Sequence, residues 1–331
     1  MLRNAYVKQP ITPPCAWIWL RAATMIALVL AGGSGSSETG IDIRLDSKLA
    51  AVTPSSPKRK EIVRFVYASV LSPERSTLTY ARLGSYLAGK LERPVEIVRR
   101  RTYAELNELL RTGRAEAGLV CTGAFAAGEA RFGLQAIAIP VIGGKTTYQS
   151  FVITRRDTRL TTFSDLQGRP FAFTDPLSNT GYRHIVDRLL SQGSSPDQYF
   201  SRVMFTYSHD NSIEAVRDGI VDAGCIDSIV WDELIRRDST LAQDVIIIER
   251  SENFPINPLA VAPSIDQGLR EALVDVFLTM AEDDEGRTIL WELGTEAFEA
   301  PTAETLAGYR AIANSWQRLR AAGLAEVSGA L

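Results

Sequence analysis

Short apolar segments alternate with longer segments of helical periodicity along most of this 331-residue chain. Short apolar runs bounded by polar turns are typical of buried strands, whereas apolar residues spaced three or four apart are typical of amphipathic helices. The first series of such segments comprises 62–68, 80–91, 95–98, 103–112 and 117–121. A second series begins near 171–174 and reaches 223–226, and a third resumes at Leu259. This alternation predicts an α/β fold.

The length of the chain predicts two compact lobes. About 270 residues follow the N-terminal segment, which is more than one simple core holds. The order of the three series predicts a discontinuous first lobe, 61–150 plus 258–331, with 151–257 as the second lobe. The chain then crosses between the lobes near 149–154 and near 257–261. In sheets of this kind, ligands bind beyond the carboxyl ends of the strands.

The segment most informative about function is 173–182, with the sequence FTDPLSNTGY. It predicts the end of a strand, a polar turn and a helix over 183–190, so the backbone N–H groups of the turn lie at a helix N-terminus. Ser178 and Thr180 add hydroxyl donors and Asn179 adds an amide, which together suit a small tetrahedral oxyanion. The same residue types are ordinary turn and capping residues, so both interpretations stay open for this segment alone.

A second polar segment, 208–213, follows thirty residues after Ser178. Its His209 is a further candidate donor to the same anion. A histidine that is hydrogen-bonded within a core is the commoner arrangement, so a structural role is the alternative.

Together, the two segments resemble the PhnD-like family of phosphate-, phosphite- and phosphonate-binding proteins, which are periplasmic receptors of ABC importers. The resemblance covers about 64–310 and includes GLVCTGAF at 118–125, GIVDAGCID at 219–227 and DDEGRTIL at 283–290. Five ordered matches indicate a family far better than any one of them. The resemblance implies a type II periplasmic-binding-protein fold with a cleft between two lobes, two hinge strands and an ABC permease as partner.

The resemblance also implies which residues face the cleft. The second lobe would hold the oxyanion through Ser178, Asn179, Thr180, Gly181 and His209. The first lobe would contribute Cys121, Thr122, Gly123, Phe125 and Tyr80. Phe125 stands where the family more often has Tyr, so a hydroxyl contact is missing there. Asp227 lies near the position at which aminoethylphosphonate receptors hold an ammonium group, although a capping or solvated Asp is the alternative.

Cys121 is the main departure from the family pattern. A thiol at the carboxyl end of a strand beside a cleft is either a small buried apolar residue or a soft ligand. Arsenite-binding periplasmic sensors of the same superfamily resemble this layout and use a cysteine of the same loop. The alternative function is therefore an arsenite sensor that binds arsenic through Cys121 and signals to a histidine kinase controlling arsenite oxidation. Cys225 has no such placement and is expected in the core.

The N-terminal 33 residues have the order of a secretory signal peptide. Lys8 and Arg21 precede an apolar stretch at 22–31, and small residues follow at 32–36. A stretch of ten residues is too short to span a bilayer. Residues 34–60 are rich in Ser, Pro and charge and predict a lead-in segment. We therefore expect the mature protein in the periplasm, with an unprocessed terminus as the alternative.

Composition and charge argue against other classes of protein. A net charge of -3 at pH 7 gives no basic surface typical of nucleic-acid binding. The sequence contains no CxxC or HExxH motif and no cluster of His and Cys, so we expect neither a bound metal nor a cofactor. No nucleophile, base and orienting group are recognisable together, so we expect a monomeric binding protein and not an enzyme.

Overall fold

The computed structural model describes residues 61–68 and 73–321, and the structural statements below refer to these residues. The predicted signal peptide and lead-in segment lie outside them. The strands are β1 (Val63–Ala68), β2 (Val95–Arg100), β3 (Ala117–Leu119), β4 (Gln135–Val141), β5 (Thr147–Tyr148), β6 (Ser150–Arg155), β7 (Pro170–Phe173), β8 (Arg202–Phe205), β9 (Ala223–Asp227), β10 (Val245–Arg250), β11 (Phe254–Pro255), β12 (Leu259–Val261) and β13 (Ala297–Glu299). The α-helices are α1 (Pro73–Leu91), α2 (Tyr103–Arg111), α3 (Thr122–Phe132), α4 (His184–Ser191), α5 (Pro196–Tyr199), α6 (His209–Arg217), α7 (Ser228–Arg237), α8 (Leu241–Asp244), α9 (Gln267–Leu278), α10 (Asp284–Glu292) and α11 (Ala303–Ala321).

The first lobe is built on a six-stranded sheet in the order β13-β4-β12-β3-β1-β2. Strand β1 runs parallel to both of its neighbours, β2 and β3, whereas β12 and β13 run antiparallel to the strands beside them. Both faces of β1 are covered, so its sequence is nearly all apolar. Phe65 points to one side and stacks on Phe277 of α9 with ring centroids 6.0 Å apart, while Val66 packs on the other side with α2 and α3.

The second lobe is built on a five-stranded sheet in the order β10-β6-β9-β7-β8. Strand β7 runs parallel to β8 and β9, and β6 runs antiparallel to β9 and β10. Aromatic side chains fill the core beside β7, where Phe171 stacks on Phe200 at a centroid distance of 4.3 Å. Phe173 meets the edge of Tyr182 at 5.0 Å, which anchors the segment that follows β7.

Two short strands connect the lobes. The chain leaves the first lobe through β5 and returns through β11, and these strands pair antiparallel with Tyr148 opposite Phe254. The first sheet takes its strands from both sides of the second lobe in sequence. The predicted two-lobed α/β fold with two hinge strands is confirmed, while the boundaries at 150/151 and 257/258 stay predictions.

Two helices begin earlier than the sequence predicted. Helix α1 starts at Pro73 instead of Tyr80, because proline fits the first turn, where its missing N–H is not needed. The helix predicted over 183–190 is preceded by one turn of π-helix at Asn179–Arg183 and then continues as α4. Such wide turns frequently mark functional sites. None of the helices in the described ranges is long and apolar enough to cross a bilayer.

The close packing of β3 on β1 can be tested at Gly118, where a Cβ would overlap the carbonyl oxygen of Val66. Gly118→Ala should lower the free energy of unfolding by about 1–3 kcal/mol, because the strands must move apart. Gly89→Ala is the control, since that exposed position in α1 has open space and alanine should stabilise the helix by about 0.5–1 kcal/mol. Chemical denaturation measures both changes, and an unchanged stability of Gly118→Ala would contradict the close approach.

Candidate functional site

The predicted anion-binding turn joins β7 to the π-helical turn, and we call its residues 178–181 the donor turn. Ser178 caps the helix, and its Oγ accepts a hydrogen bond from the Gly181 N–H at 3.0 Å. The Thr174 N–H donates to the Gly181 carbonyl oxygen at 2.9 Å, which folds the turn back on the end of β7. A side chain at Gly181 would overlap Thr174 Oγ1, so only glycine fits there.

Three polar side-chain atoms at the donor turn are buried without a hydrogen-bond partner in the described part of the chain. They are Thr174 Oγ1, Asn179 Nδ2 and Thr180 Oγ1. Unpaired buried polar atoms are rare in folded proteins, because each has lost its hydrogen bonds to water and gained none. The donor turn therefore presents hydrogen-bonding capacity that the protein itself leaves unused.

The orientation of the Asn179 amide is set by Arg183. Arg183 Nη1 donates to Asn179 Oδ1 at 2.7 Å, and Nη2 donates to Asp187 Oδ2 at 2.9 Å. Burial lowers the pKa of Arg183 to about 10, although the nearby Asp187 acts in the opposite direction. Because the amide oxygen is occupied, the NH₂ group is the end of Asn179 left to bind another molecule.

His209 is a neutral donor at the start of α6. The Asp227 N–H donates to His209 Nδ1 at 2.9 Å, so Nε2 is the ring nitrogen that carries the proton. Burial lowers the pKa of His209 to about 3, and the adjacent Asp210 opposes this shift only in part. The imidazole therefore stays uncharged at neutral pH. The structure gives His209 a structural contact through Nδ1 and leaves the predicted ligand contact to Nε2.

Asp227 ends β9 and caps α7. Its carboxylate accepts the Ile229 N–H at 2.7 Å and also interacts with the Val230 N–H. Burial raises the pKa of Asp227 to about 7, well above its usual value, and the nearby Asp232 adds to the shift. The capping role that the sequence left open is thus present, and the ammonium contact stays a prediction.

The opposite wall of the cleft touches the donor turn through Cys121 and Gly123. Burial raises the pKa of the Cys121 thiol to about 11, while the N–H groups of Asn179 and Gly123, which point at the sulfur, act in the opposite direction. A Cβ on Gly123 would lie 2.8 Å from the Asn179 nitrogen and would overlap the Leu177 carbonyl oxygen. The two lobes are therefore in backbone contact at the site, with the sulfur facing a donor of the turn.

Thr122, also predicted to line this wall, is bonded to the return crossing. Its hydroxyl donates to the Pro255 carbonyl oxygen at 2.8 Å, and its N–H donates to Asn257 Oδ1 at 2.9 Å. These bonds hold the start of α3 against the hinge strand β11. A ligand contact by Thr122 stays a prediction.

Phe125 and Tyr80 make aromatic contacts. The Phe125 ring is fully buried and meets the edge of Tyr309 with centroids 4.7 Å apart. Tyr80 stacks on Tyr67 of β1 at a centroid distance of 3.6 Å. The described contacts place Phe125 in the core of the first lobe and Tyr80 at the end of β1, and ligand contacts by either residue stay predictions.

The sequence interpretation missed Asp175 and Tyr103, which bridge the lobes. Asp175 accepts the Leu177 N–H at 2.8 Å within the second lobe and the Tyr103 N–H at 3.1 Å from the start of α2 in the first lobe. Burial raises the pKa of Asp175 to about 6, against the effect of these two bonds. The Asp-Pro step predicted a turn here but gave no sign of a partner in the other lobe.

Tyr148 was also missed. It lies in the hinge strand β5, is 2% exposed, and its hydroxyl has no hydrogen-bond partner in the described part of the chain. A lone tyrosine in a two-residue strand carries no local sequence pattern, so only the folded arrangement identifies it.

The fold and this site define a class of protein. Two α/β lobes are joined by two crossing strands, and unpaired donors collect where the lobes meet. In α/β sheets, ligands bind beyond the carboxyl ends of the strands, and the donor turn lies there, after β7. This combination is that of a two-lobed substrate-binding protein.

Comparison with known families makes the assignment specific. The family described as "ABC transporter, phosphonate, periplasmic substrate-binding protein" matches residues 65–306 of this chain. The match covers well over half of the 331 residues, and the chain belongs to this family. The resemblance noted from the motifs is confirmed. The arsenite-sensor alternative gains no support from the match.

Solved structures of similar fold come from several bacteria. A binding-protein component of an ABC phosphonate transporter from Pseudomonas aeruginosa is 19% identical, with a TM-score of 0.72, over 82% of this chain and 91% of that one. PhnD1 from Prochlorococcus marinus in complex with methylphosphonate is 15% identical, with a TM-score of 0.70, over 78% and 98%. A chloride-bound protein from Xanthomonas citri is 21% identical, with a TM-score of 0.68, over 79% and 99%. At such identities these structures establish the shared fold.

The raised pKa of Asp227 predicts a pH dependence of stability. The group binds its proton more tightly when folded, so its contribution is fully present below pH 3.8 and is lost as the pH rises through about 7. As the pH rises from 3.8 to about 7, the free energy of unfolding should fall further in the parent than in Asp227→Asn. The difference should be about 1.4 kcal/mol for each unit by which folding raises the pKa. Thermal melting across this range measures the difference.

Asp266→Asn is the control for this experiment, because Asp266 caps α9 in the same way but is exposed. This variant measures the effect of losing an exposed helix cap, against which the effect of Asp227→Asn is compared. Parallel profiles for the parent and Asp227→Asn would contradict the raised pKa.

Proposed function

We propose that this protein binds a small tetrahedral oxyanion of the phosphonate, phosphite and phosphate class between its lobes and delivers it to an ABC importer. The observation that carries the proposal is the group of unpaired buried atoms Thr174 Oγ1, Asn179 Nδ2 and Thr180 Oγ1. Donors that converge on a helix start favour an anion, because the helix dipole is positive there. Membership of the phosphonate family supports the same class of ligand.

The negative charge of the ligand would be stabilised by hydrogen bonds from uncharged groups. The side-chain amide of Asn179, the hydroxyl of Thr180 and the Nε2–H of His209 can all donate without carrying a charge. Because the pKa of His209 is lowered to about 3, its donor state is the same at all pH values near neutrality. The pH dependence of binding near neutrality should then follow the protonation of the ligand more than that of His209.

Closure of the cleft would retain the ligand. The lobes are joined by the bond from the Tyr103 N–H to Asp175 and by the contact of Gly123 with the donor turn. Receptors of this class open about their hinges, and a ligand that contacts both lobes favours the closed form. These inter-lobe contacts would thus break and reform in each cycle of binding.

The cellular setting follows from the family. We propose that 1–33 are removed as a signal peptide and that the mature monomer works in the periplasm with the inner-membrane permease of the importer. We further propose that the lobes are 61–150 plus 258–331 and 151–257. The family is one of transporter binding proteins, so capture and delivery form the activity and no catalytic step is needed.

Thr180→Val tests the oxyanion site, because it removes the unpaired hydroxyl and nearly preserves the shape of the side chain. Binding of methylphosphonate or phosphite, measured by calorimetry, should weaken by about 1.5–3 kcal/mol, the range for a hydrogen bond to a charged group. Thr154→Val is the control, since the hydroxyl of this buried threonine donates to the Asp222 carbonyl oxygen at 2.8 Å. The control should lose stability and keep its affinity. If Thr180→Val binds the ligand as tightly as the parent, the donor turn serves only as a helix cap.

One observation favours the second candidate function, an arsenite sensor that signals to a histidine kinase. The sulfur of Cys121 faces the N–H group of Asn179, a donor of the proposed anion site. A thiolate is a preferred ligand of soft elements, and the nearby donors would bind the remaining oxygens of arsenite. This alternative rests on Cys121 alone.

Cys121→Ser separates the two ligand chemistries, because serine keeps the shape of the side chain and loses the soft donor. For a phosphorus oxyanion, affinity should stay within about tenfold of the parent, or about 1.4 kcal/mol. For arsenite, binding should be abolished in Cys121→Ser and retained in Cys225→Ser, whose cysteine is buried in β9. Titration of the reduced proteins with methylphosphonate and with arsenite distinguishes the two functions. If the parent protein does not bind arsenite, the sensor function is ruled out.

A further inference from the structure

A series of hydrogen bonds leads from the donor turn to the C-terminal helix α11. Arg183 Nη1 donates to Asn179 Oδ1 at 2.7 Å, and Nη2 donates to Asp187 Oδ2 at 2.9 Å. The same Asp187 oxygen accepts the hydroxyl of Ser315 in α11. Arg183 is 4% exposed and Ser315 is 3% exposed, so the series runs through the interior. An apolar side chain would fill the place of the arginine without burying a charge, so packing alone does not explain it.

The two ends of this series belong to different lobes. The arginine and the aspartate lie between β7 and β8 of the second sheet in the chain, whereas α11 follows β13 of the first sheet. The Tyr309 hydroxyl of α11 donates to the Ile256 carbonyl oxygen, and its ring meets Phe125 of α3. These contacts hold α11 on the first lobe. The bond from Ser315, further along the same helix, therefore joins the first lobe to the second.

Arg183 can hold only one orientation of the Asn179 amide. A guanidinium donates hydrogen bonds and has no acceptor, so it bonds to the amide oxygen and not to the NH₂ group. In the flipped amide, the NH₂ group would face the guanidinium and the oxygen would face the bound anion, which it would repel. The NH₂ group is buried without a partner among the described residues, so the orientation that Arg183 holds leaves this donor to a ligand.

We propose that Ser315 and Asp187 position Arg183, and that through these three residues the C-terminal helix orients the Asn179 amide toward the bound oxyanion. This inference rests on the proposed function and gives the three residues a positioning role without contact to the ligand. Because α11 is held by the first lobe, the presentation of the amide in the second lobe depends on how the two lobes meet. Closure of the cleft and recognition of the anion then favour each other.

Arg183→Lys tests the orienting contact, because lysine keeps the positive charge but lacks the planar fork that donates to both partners. Calorimetry with methylphosphonate and phosphite should show binding weaker than in the parent by about threefold or more. Ser315→Ala is a smaller change, which removes only the hydroxyl in α11, and it should also weaken binding by about threefold or more.

The same two changes in an Asn179→Ala background test whether the effect passes through the amide. Asn179→Ala should itself weaken binding by about tenfold or more, because it removes a hydrogen bond to a charged ligand. Neither Arg183→Lys nor Ser315→Ala should weaken binding further in this background, because residues that act through one amide lose their effect when it is absent.

Arg188→Lys is the matched control. This arginine of α4 pairs with Glu249 of β10 and lies over the Phe163 ring, so these contacts are made outside the donor turn. Its replacement should lower the melting temperature and leave the affinity for both probes unchanged.

Binding by Ser315→Ala or by Arg183→Lys within about twofold of the parent would overturn the inference while the proposed function stands. An equal loss of affinity in the parent and in the Asn179→Ala background would also overturn it, because the residues would then act on the fold and not on the amide. Parent-like binding by Asn179→Ala would do the same, since no amide contact would remain to be positioned. A parent that binds neither probe would remove the proposed function, and the inference with it.

Discussion

The cost of burying unpaired polar atoms is the constraint around which this molecule is arranged. The donor turn and Tyr148 together keep four such atoms out of water, each at about 1–3 kcal/mol if nothing binds them. The apolar side chains buried in both lobes must offset that cost. A ligand that satisfies these atoms adds its binding free energy to the stability of the closed, folded form.

Local backbone geometry keeps the donors from pairing with one another. The Ser178 side chain and the Thr174 backbone hold the two ends of Gly181, so the turn cannot relax onto its own hydroxyls. Arg183 donates to the amide oxygen of Asn179 and leaves the buried amide nitrogen without a partner among the described residues. The π-helical turn contains both features: Ser178 caps it, and Gly181 lies against the side chain of Thr174.

The sequence predicted the parts of this structure that depend on local pattern. Strand and helix alternation predicted the α/β fold with two lobes, because periodicity reports burial directly. The donor turn was found for the same reason, since its cap residues are contiguous. Asp175 and Tyr103 were not found, because the bond between them joins positions 72 residues apart in the chain. Thr122 was placed in the cleft by analogy, and the bonds that its hydroxyl makes to the hinge could not be inferred from the motif.

Burial also resolves an apparent conflict in the electrostatics of the site. Cys121, Asp175 and Asp227 are acids close to a proposed anion site, where negative charge would repel the ligand. Desolvation raises the pKa of all three, to about 11, about 6 and about 7, and so disfavours their charged forms. The thiol is neutral at physiological pH and is a weak acceptor for the amide N–H groups that face it. Those N–H groups can therefore exchange a weak hydrogen bond to sulfur for a stronger one to an oxyanion. Burial therefore has two effects: it leaves the donors unpaired, and it reduces the negative charge around them. Both effects favour the binding of an anion in the closed cleft.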